Sequence, residues 1–298
     1  MASMSDIRSR IKSIKDTMQI TKAMNLIASS KMQKARKQLN DTLPYFEKIQ
    51  ATMKDIIAHS TGIETHKYFD KRDSSSGPRK IGYVIITADK GLCGSYNHNV
   101  IKLAEETMKH HSEIQHTEQF LFVIGQMGRD YFIRKNYNID VEFLYTAQSP
   151  TFYRAREIGE LLISLFEQQM LDEIYIIYTH IKSAIKQQPE IIKVLPLEKS
   201  EFDIPLEPGE RYKEYLEYSP SPEKVMDILV PGYVKGLIFG ALVESFCSEQ
   251  SARMLAMDSA TNSAKEMIKQ LTLLYNHARQ AAITQEISEI VGGSRIFQ

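Results

Sequence analysis

Residues 241–291 read ALVESFCSEQSARMLAMDSATNSAKEMIKQLTLLYNHARQAAITQEISEIV, with no glycine and no proline. Apolar or small residues recur there in alternating steps of three and four: Val243, Cys247, Met254, Met257, Ala264, Ile268, Leu271, Tyr275, Ala278 and Ala282, with Gln250 and Thr261 as the polar members. A step averaging 3.5 residues keeps one stripe facing a partner helix that supercoils around it, so this is a coiled-coil seam. At ~1.5 Å per residue, a helix from Lys235 to Ile296 reaches about 90 Å. A sphere-like chain of this size is only about 50 Å across. The expectation is a rod.

The partner helix lies at the other end of the chain. Ile7, Ile11, Ile14, Met18, Thr21, Ala28, Met32, Ala35 and Leu39 repeat the alternation with Asn25 on the seam, and Phe46, Ile49, Met53 and Ile56 continue it in phase. Pro44 interrupts the pattern and predicts a kink or a restart, because proline removes one backbone bond and clashes with the preceding turn. Two long terminal helices pair most simply antiparallel. Asn25 and Thr261 are expected to weaken the seam while fixing its register.

Between these helices the chain alternates α and β. Strands are expected at 81–87, 120–124, 139–145, 173–180 and 191–197, and helices at 96–111, 126–135 and 155–170. Continuous apolar runs such as Tyr83-Val84-Ile85-Ile86 suit strands covered on both faces, and hence a mostly parallel, Rossmann-like sheet. A short helix at 223–229 is expected before a long one that starts at Pro231-Gly232. The fold class is therefore α/β plus a long antiparallel coiled coil. Its divisions are an N-terminal coiled-coil helix at 1–62, a Rossmann-like domain at 63–230 and a C-terminal coiled-coil helix at 231–298.

The 298 residues carry 37 basic and 37 acidic side chains, so no net charge points to a polyanionic partner. The balance is uneven along the chain. Arg8, Arg10, Lys12, Lys15, Lys22, Lys31, Lys34, Arg36 and Lys37 face only Asp6 and Asp16 in the first forty residues. That is either a solvated face or a basic track for an acidic protein or a nucleic acid. Two cysteines suggest a reducing compartment, and neither a membrane-spanning run nor a signal-peptide core is expected.

The loops of the middle region offer little chemistry. Residues 88–95, Ala-Asp-Lys-Gly-Leu-Cys-Gly-Ser, stand where a phosphate loop would, but carry neither the dinucleotide fingerprint nor a Walker motif. Gly125-Gln126-Met127-Gly128 is equally weak, and tight turns account for both. Cys93 and Cys247 read as packed small thiols. His110, His111 and His116 lack a metal-ligand spacing and read as a solvated helix end. No cofactor, no metal and no catalytic set is expected. The C-terminal tip differs: Ile283, Ile287, Ile290, Val291, Ile296 and Phe297 carry apolar character to the chain end, which predicts burial in another subunit.

Three stretches together carry a resemblance. ITKAM at 20–24 with ASSKM at 28–32, TADKGLCGSYN at 87–97, and the block from Ser248 to Gly293 resemble, in matching order, the gamma subunit of F-type ATP synthases of bacterial type. Ser95 stands where that family commonly has a second glycine, and the plant-type insertion with its cysteine pair is absent. The resemblance implies a non-catalytic central-stalk subunit of a proton- or sodium-transporting two-sector ATPase, the rotor shaft that couples c-ring rotation to ATP synthesis or hydrolysis at beta-subunit sites. It implies alpha and beta subunits, epsilon and the c-ring as partners, no nucleic acid, and a peripheral place on the cytoplasmic side of the cell membrane through the complex alone.

Residue by residue, the resemblance makes Met24, Lys31, Arg279, Gln280, Thr284 and Ile287 rotor–stator contacts, with Tyr218 and Glu223 in the foot facing the c-ring. Ile14, Met18, Ala28, Ala264, Ile268, Leu271 and Tyr275 remain on the seam, and Ile268 and Leu271 are expected to be buried at its centre. The alternatives are a nucleotide- or cofactor-dependent enzyme whose coiled coil only oligomerises it, and a coiled-coil nucleic-acid binder. The first would bind or turn over nucleotide alone, and the second would bind with a steep salt dependence.

Overall fold

The three-four alternation at both ends of the chain folds as two long helices, α1 over Met4–His59 and α5 over Pro222–Ser294. The computed structural model describes residues 4–60, 62–72, 77–114, 116–144, 146–182, 186–202 and 218–294. The expected tip residues Ile296 and Phe297 lie outside them. By contacts the chain divides into two compact units, Met1–Ser30 with Arg253–Gln298, and Lys31–Ala252.

In the first unit, α1 and α5 pair antiparallel. The Thr21 hydroxyl bonds the Thr261 hydroxyl at 2.8 Å, and Asn25 Nδ2 donates to the Met254 carbonyl at 3.1 Å, so both polar seam positions bridge the helices. Between Lys265 and Ile283 the only shielded residues are Ile268, Leu271, Tyr275, Ala278 and Ala282. The alternation is visible directly as burial. Ile268 and Leu271 are half-buried, not buried. Leu271 lines an open groove with Ile14, Arg10, Ser13, Met267, Gln270 and Leu274, because a pair of helices with no third neighbour leaves the flanks of its seam exposed.

The second unit holds a five-stranded sheet in the order β3-β2-β1-β4-β5. The strands are β1 (Arg79–Ile86), β2 (Thr117–Ile124), β3 (Val141–Phe143), β4 (Glu173–Ile181) and β5 (Gln187–Leu195). All neighbours are parallel except β5, which returns antiparallel on β4. The order is that of a Rossmann sheet, with its reversal between β1 and β4. β5 begins earlier than expected, since the polar run Gln187 to Glu190 pairs with the end of β4, and Pro189 is tolerated there on an edge strand.

Helices α2 (Tyr96–Ile114), α3 (Gln126–Arg134) and α4 (Phe152–Glu167) join the strands. Thr151 caps α4 by accepting the Arg154 amide at 3.3 Å. One core includes Ile81, Tyr83, Ile85, Val100, Ala104 and Phe132, between the sheet and α2–α3. A larger one includes Val84, Ile86, Leu162, Phe166, Ile176, Val234, Ile238 and Phe246, and it also takes Ile49, Met53 and Ile56 from α1.

Two expectations at proline are corrected: a restart at Pro44 and a helix boundary before Pro231. α1 runs through Pro44 without a restart, and α5 begins at Pro222 and carries Pro231 inside it. Met226, Val230, Val234 and Ile238 are all fully buried at four-residue spacing, so packing on both sides of Pro231 holds the helix across the lost bond. One stretch of α5 also reaches the length and hydropathy of a membrane span, against the sequence expectation, and half of it is buried inside the fold.

Candidate interaction surface

The loops that first invited an enzymatic reading turn several of their polar groups on each other. Asn97 Oδ1 accepts the Ala88 amide at 2.8 Å, and its Nδ2 donates to Cys93 Sγ at 3.3 Å. Asp89 Oδ1 accepts the Gln126 amide at 3.0 Å, and Thr87 Oγ1 accepts that of Gly128 at 2.9 Å. Gly125 has φ 97°, and a Cβ there would stand 2.2 Å from the Thr87 carbonyl oxygen. The two β-to-α turns therefore lock against each other, as the tight-turn reading expects.

Both cysteines are buried. Burial pushes the Cys247 thiol up to about 11, and its Sγ faces the Met32 carbonyl across the seam. His111 departs from the solvated-end expectation: it is half-buried, 2.6 Å from the Tyr83 hydroxyl, and burial lowers its pKa. Its neighbours His110 and His116 are exposed.

The helices tell a different story. In the first unit Arg279, Gln280, Thr284 and Ile287 are all exposed on α5, and Met24 is half-buried on α1. Thr284 donates only to its own helix, at Gln280 O, and Arg279 forms no ion pair with any described residue. In the second unit Lys31 is exposed on α1. Lys12, Lys15, Lys34, Arg36 and Lys37 are likewise exposed, and among the described residues none forms an ion pair with a carboxylate.

Sequence reasoning missed part of this surface. Ile20 (60% exposed), Leu26 (72%) and Ile27 (56%) stand off the seam on α1, as do Met267, Leu273 and Leu274 on α5. The available signal was an excess of large aliphatics at positions the heptad assigns to solvent.

Just before α5, the Tyr218 hydroxyl donates to Asp55 Oδ2 on α1. Burial, then the Asp55 carboxylate, raise the Tyr218 pKa. Glu223 is exposed in the first turn of α5, and hydrogen bonds from Ser221 and the backbone hold its carboxyl below the usual range.

Long paired terminal helices around a Rossmann-like sheet, with exposed aliphatics and with cations that no described carboxylate meets, define a subunit built for assembly. The family model described as ATP synthase matches residues 3–295. The chain is 49% identical to the ATP synthase gamma chain of Acetivibrio thermocellus, over all of both chains. It is 40% identical to a sodium-ion-specific ATP synthase gamma chain of Acetobacterium woodii, covering 97% of each.

The chain thus belongs to the ATP synthase gamma chain family. In fold it resembles a chain of the Euglena gracilis mitochondrial ATP synthase F1/c-ring assembly, with TM-score 0.60 at 16% identity over 99% of this chain and 94% of that one. A central-stalk chain of the Tetrahymena thermophila enzyme gives TM-score 0.54 at 24% identity, over 81% and 99%.

Proposed function

We propose that this chain is the central shaft of a rotary F-type ATP synthase and carries no catalytic site of its own. Full-length similarity to gamma chains supports the reading. The observation that carries it is the exposed surface along both helices: cations on α1, and Arg279, Gln280, Thr284 and Ile287 on α5. Exposed cations with no carboxylate partner among the described residues, beside exposed aliphatics, suit a partner that changes as the shaft turns.

The proposed division of labour follows the helices. Residues 1–62 and 231–298 act as the shaft inside the ring of alpha and beta subunits, and 63–230 as the foot with the epsilon subunit on the c-ring. Met24, Lys31, Arg279, Gln280, Thr284 and Ile287 serve as rotor–stator contacts, and Tyr218 and Glu223 belong to the foot. Each rotor angle offers different contacts to each beta subunit. That differential contact energy shifts the open and closed populations of their nucleotide sites in turn. The complex is peripheral to the cytoplasmic face of the membrane, and the coupling ion is H+ or Na+.

The test is reconstitution. Purified alone, the chain should neither hydrolyse nor bind ATP. Mixed with alpha and beta subunits it should enter a stable complex and raise ATP hydrolysis. Turnover by the chain alone, or failure to enter the complex, overturns the proposal.

A further inference from the structure

Ligands of open α/β sheets enter outside the carboxyl ends of the strands, where the strand order reverses. Here the order reverses between β1 and β4, and α5 packs there: Ala252 clusters with Ala88 and Tyr96 just beyond β1, while two of its serines meet β4. The Thr179 amide of β4 donates to Ser245 Oγ at 3.2 Å, and Ser248 Oγ donates to the Thr179 carbonyl at 2.9 Å. One residue on, His180 Nδ1 stands 2.6 Å from Glu244 Oε2. Thr179, Ser245 and Ser248 are 3%, 1% and 0% exposed. Three residues within five positions of α5 therefore grip two consecutive residues of the sheet.

These contacts differ in kind from the apolar ones around them. Val234, Ile238, Leu242 and Phe246 hold α5 in the core by a non-directional force proportional to buried area. Such a force resists separation but distinguishes poorly between small rotations or slides of the helix. Hydrogen bonds weaken steeply with angle and distance, so a pair made to one residue's amide and carbonyl sets both. β1 pairs with β4 only as far as Ile177, so the Thr179 amide and carbonyl lie beyond that ladder and are satisfied by α5 instead.

We infer that Ser245 and Ser248, with Glu244 at the rim, are positioning residues: a directional joint in the Rossmann crevice that keeps the sheet and α5 turning together under load. The inference rests on the shaft reading above.

The test uses the reconstituted, membrane-embedded complex carrying Ser245→Ala, Ser248→Ala or both, and measures ions pumped per ATP against a rising opposing gradient. With no gradient the double variant should hydrolyse and pump as wild type does. As the gradient grows, its ions per ATP should fall at least twofold below wild type, with the single variants between. Amide hydrogen exchange at Thr179 should speed up about tenfold or more in Ser245→Ala, while Ile177 in mid-strand stays unchanged. Ser248→Cys, which keeps a weak donor of similar size, should restore the ratio in part.

Equal ions per ATP at every gradient overturns the joint. So does a loss that is the same with and without a gradient, which is lowered assembly and nothing more. If the double variant does not assemble, the singles and the cysteine variant carry the same comparison. Failure of the shaft reading looks different: wild-type membranes then pump equally well with this chain left out.

Discussion

The hydroxyls of Thr21 and Thr261 meet at 2.8 Å across the helix pair, and each also donates or can donate to a carbonyl of its own helix, Met18 O at 3.0 Å and Met257 O at 2.8 Å. With two protons for three contacts, one hydroxyl donates across the seam while the other donates to its own helix. Losing one hydroxyl leaves the other with its backbone partner. Thr21→Val or Thr261→Val should therefore cost no more than about 1.5 kcal/mol, and the double valine variant should be close to neutral. A double-mutant cycle from chemical unfolding measures this, and singles costing ~3 kcal/mol each would show that the pair does more than bridge.

The seam should be unevenly sensitive. Met257 is 5% exposed, whereas Leu271 is half-buried beside an open groove. Met257→Ala should cost about 2–5 kcal/mol as a core truncation, and Leu271→Ala clearly less, about 1. Equal losses in thermal unfolding would mean that the Leu271 flank is closed in solution.

Two helical glycines of α5 should respond in opposite senses. A Cβ on Gly236 would fall 2.3 Å from the Phe46 ring, which is packed against Phe152 and Phe239. A Cβ on Gly240 meets nothing within 4 Å. Gly236→Ala should destabilise by about 1–3 kcal/mol through forced repacking. Gly240→Ala should stabilise by up to ~1 kcal/mol through helix propensity. Melting temperatures of the two variants decide it, and a shift of the same sign in both contradicts this packing.

How much of this was legible beforehand follows from which forces act locally. The seam could be read residue by residue because its period is a property of the helix itself. The strands could be placed because apolar runs such as Tyr83 to Ile86 must be buried on both faces. The passage of α5 through Pro231 could not, because it depends on Met226, Val230, Val234 and Ile238 finding a sheet far away in sequence. The half-exposure of Ile268 and Leu271 depends on how many helices share the seam. The half-burial of His111 is hidden from the local sequence for the same reason, since its partner Tyr83 lies on a strand. The exposure of Ile20, Leu26 and Ile27 leaves no mark in the heptad, which specifies only what the seam buries.

The buried thiol of Cys247 gives a pH dependence with a definite sign. Its pKa rises from 9.0 to about 11 on folding, chiefly through burial. Between these values the unfolded chain gives up the proton and the folded one keeps it, so stability falls as pH rises through that window. Below pH 9 the thiol is neutral in both states and contributes no slope. Comparison of wild type with Cys247→Ala should show about 1–3 kcal/mol less loss in the variant between pH 9 and 11. Identical slopes would place the thiol in contact with water.

Arg279 and Gln280 are exposed, and Arg279 is unpaired among the described residues, so changing both should leave folding and assembly intact. If they are contacts made at some rotor angles only, the complex with Arg279→Ala and Gln280→Ala should hydrolyse ATP several-fold more slowly. Undiminished turnover removes them from the mechanism.

The most direct measurement is rotation itself. Cys93 and Cys247 are buried, so a cysteine placed at exposed Lys109 on α2 can be labelled selectively. With the alpha–beta ring fixed to a surface and a probe on Lys109→Cys, the probe should turn in one direction while ATP is present and stop when it is removed. A probe that stays still while the same complex hydrolyses ATP at its full rate would contradict the assignment of this chain as the shaft.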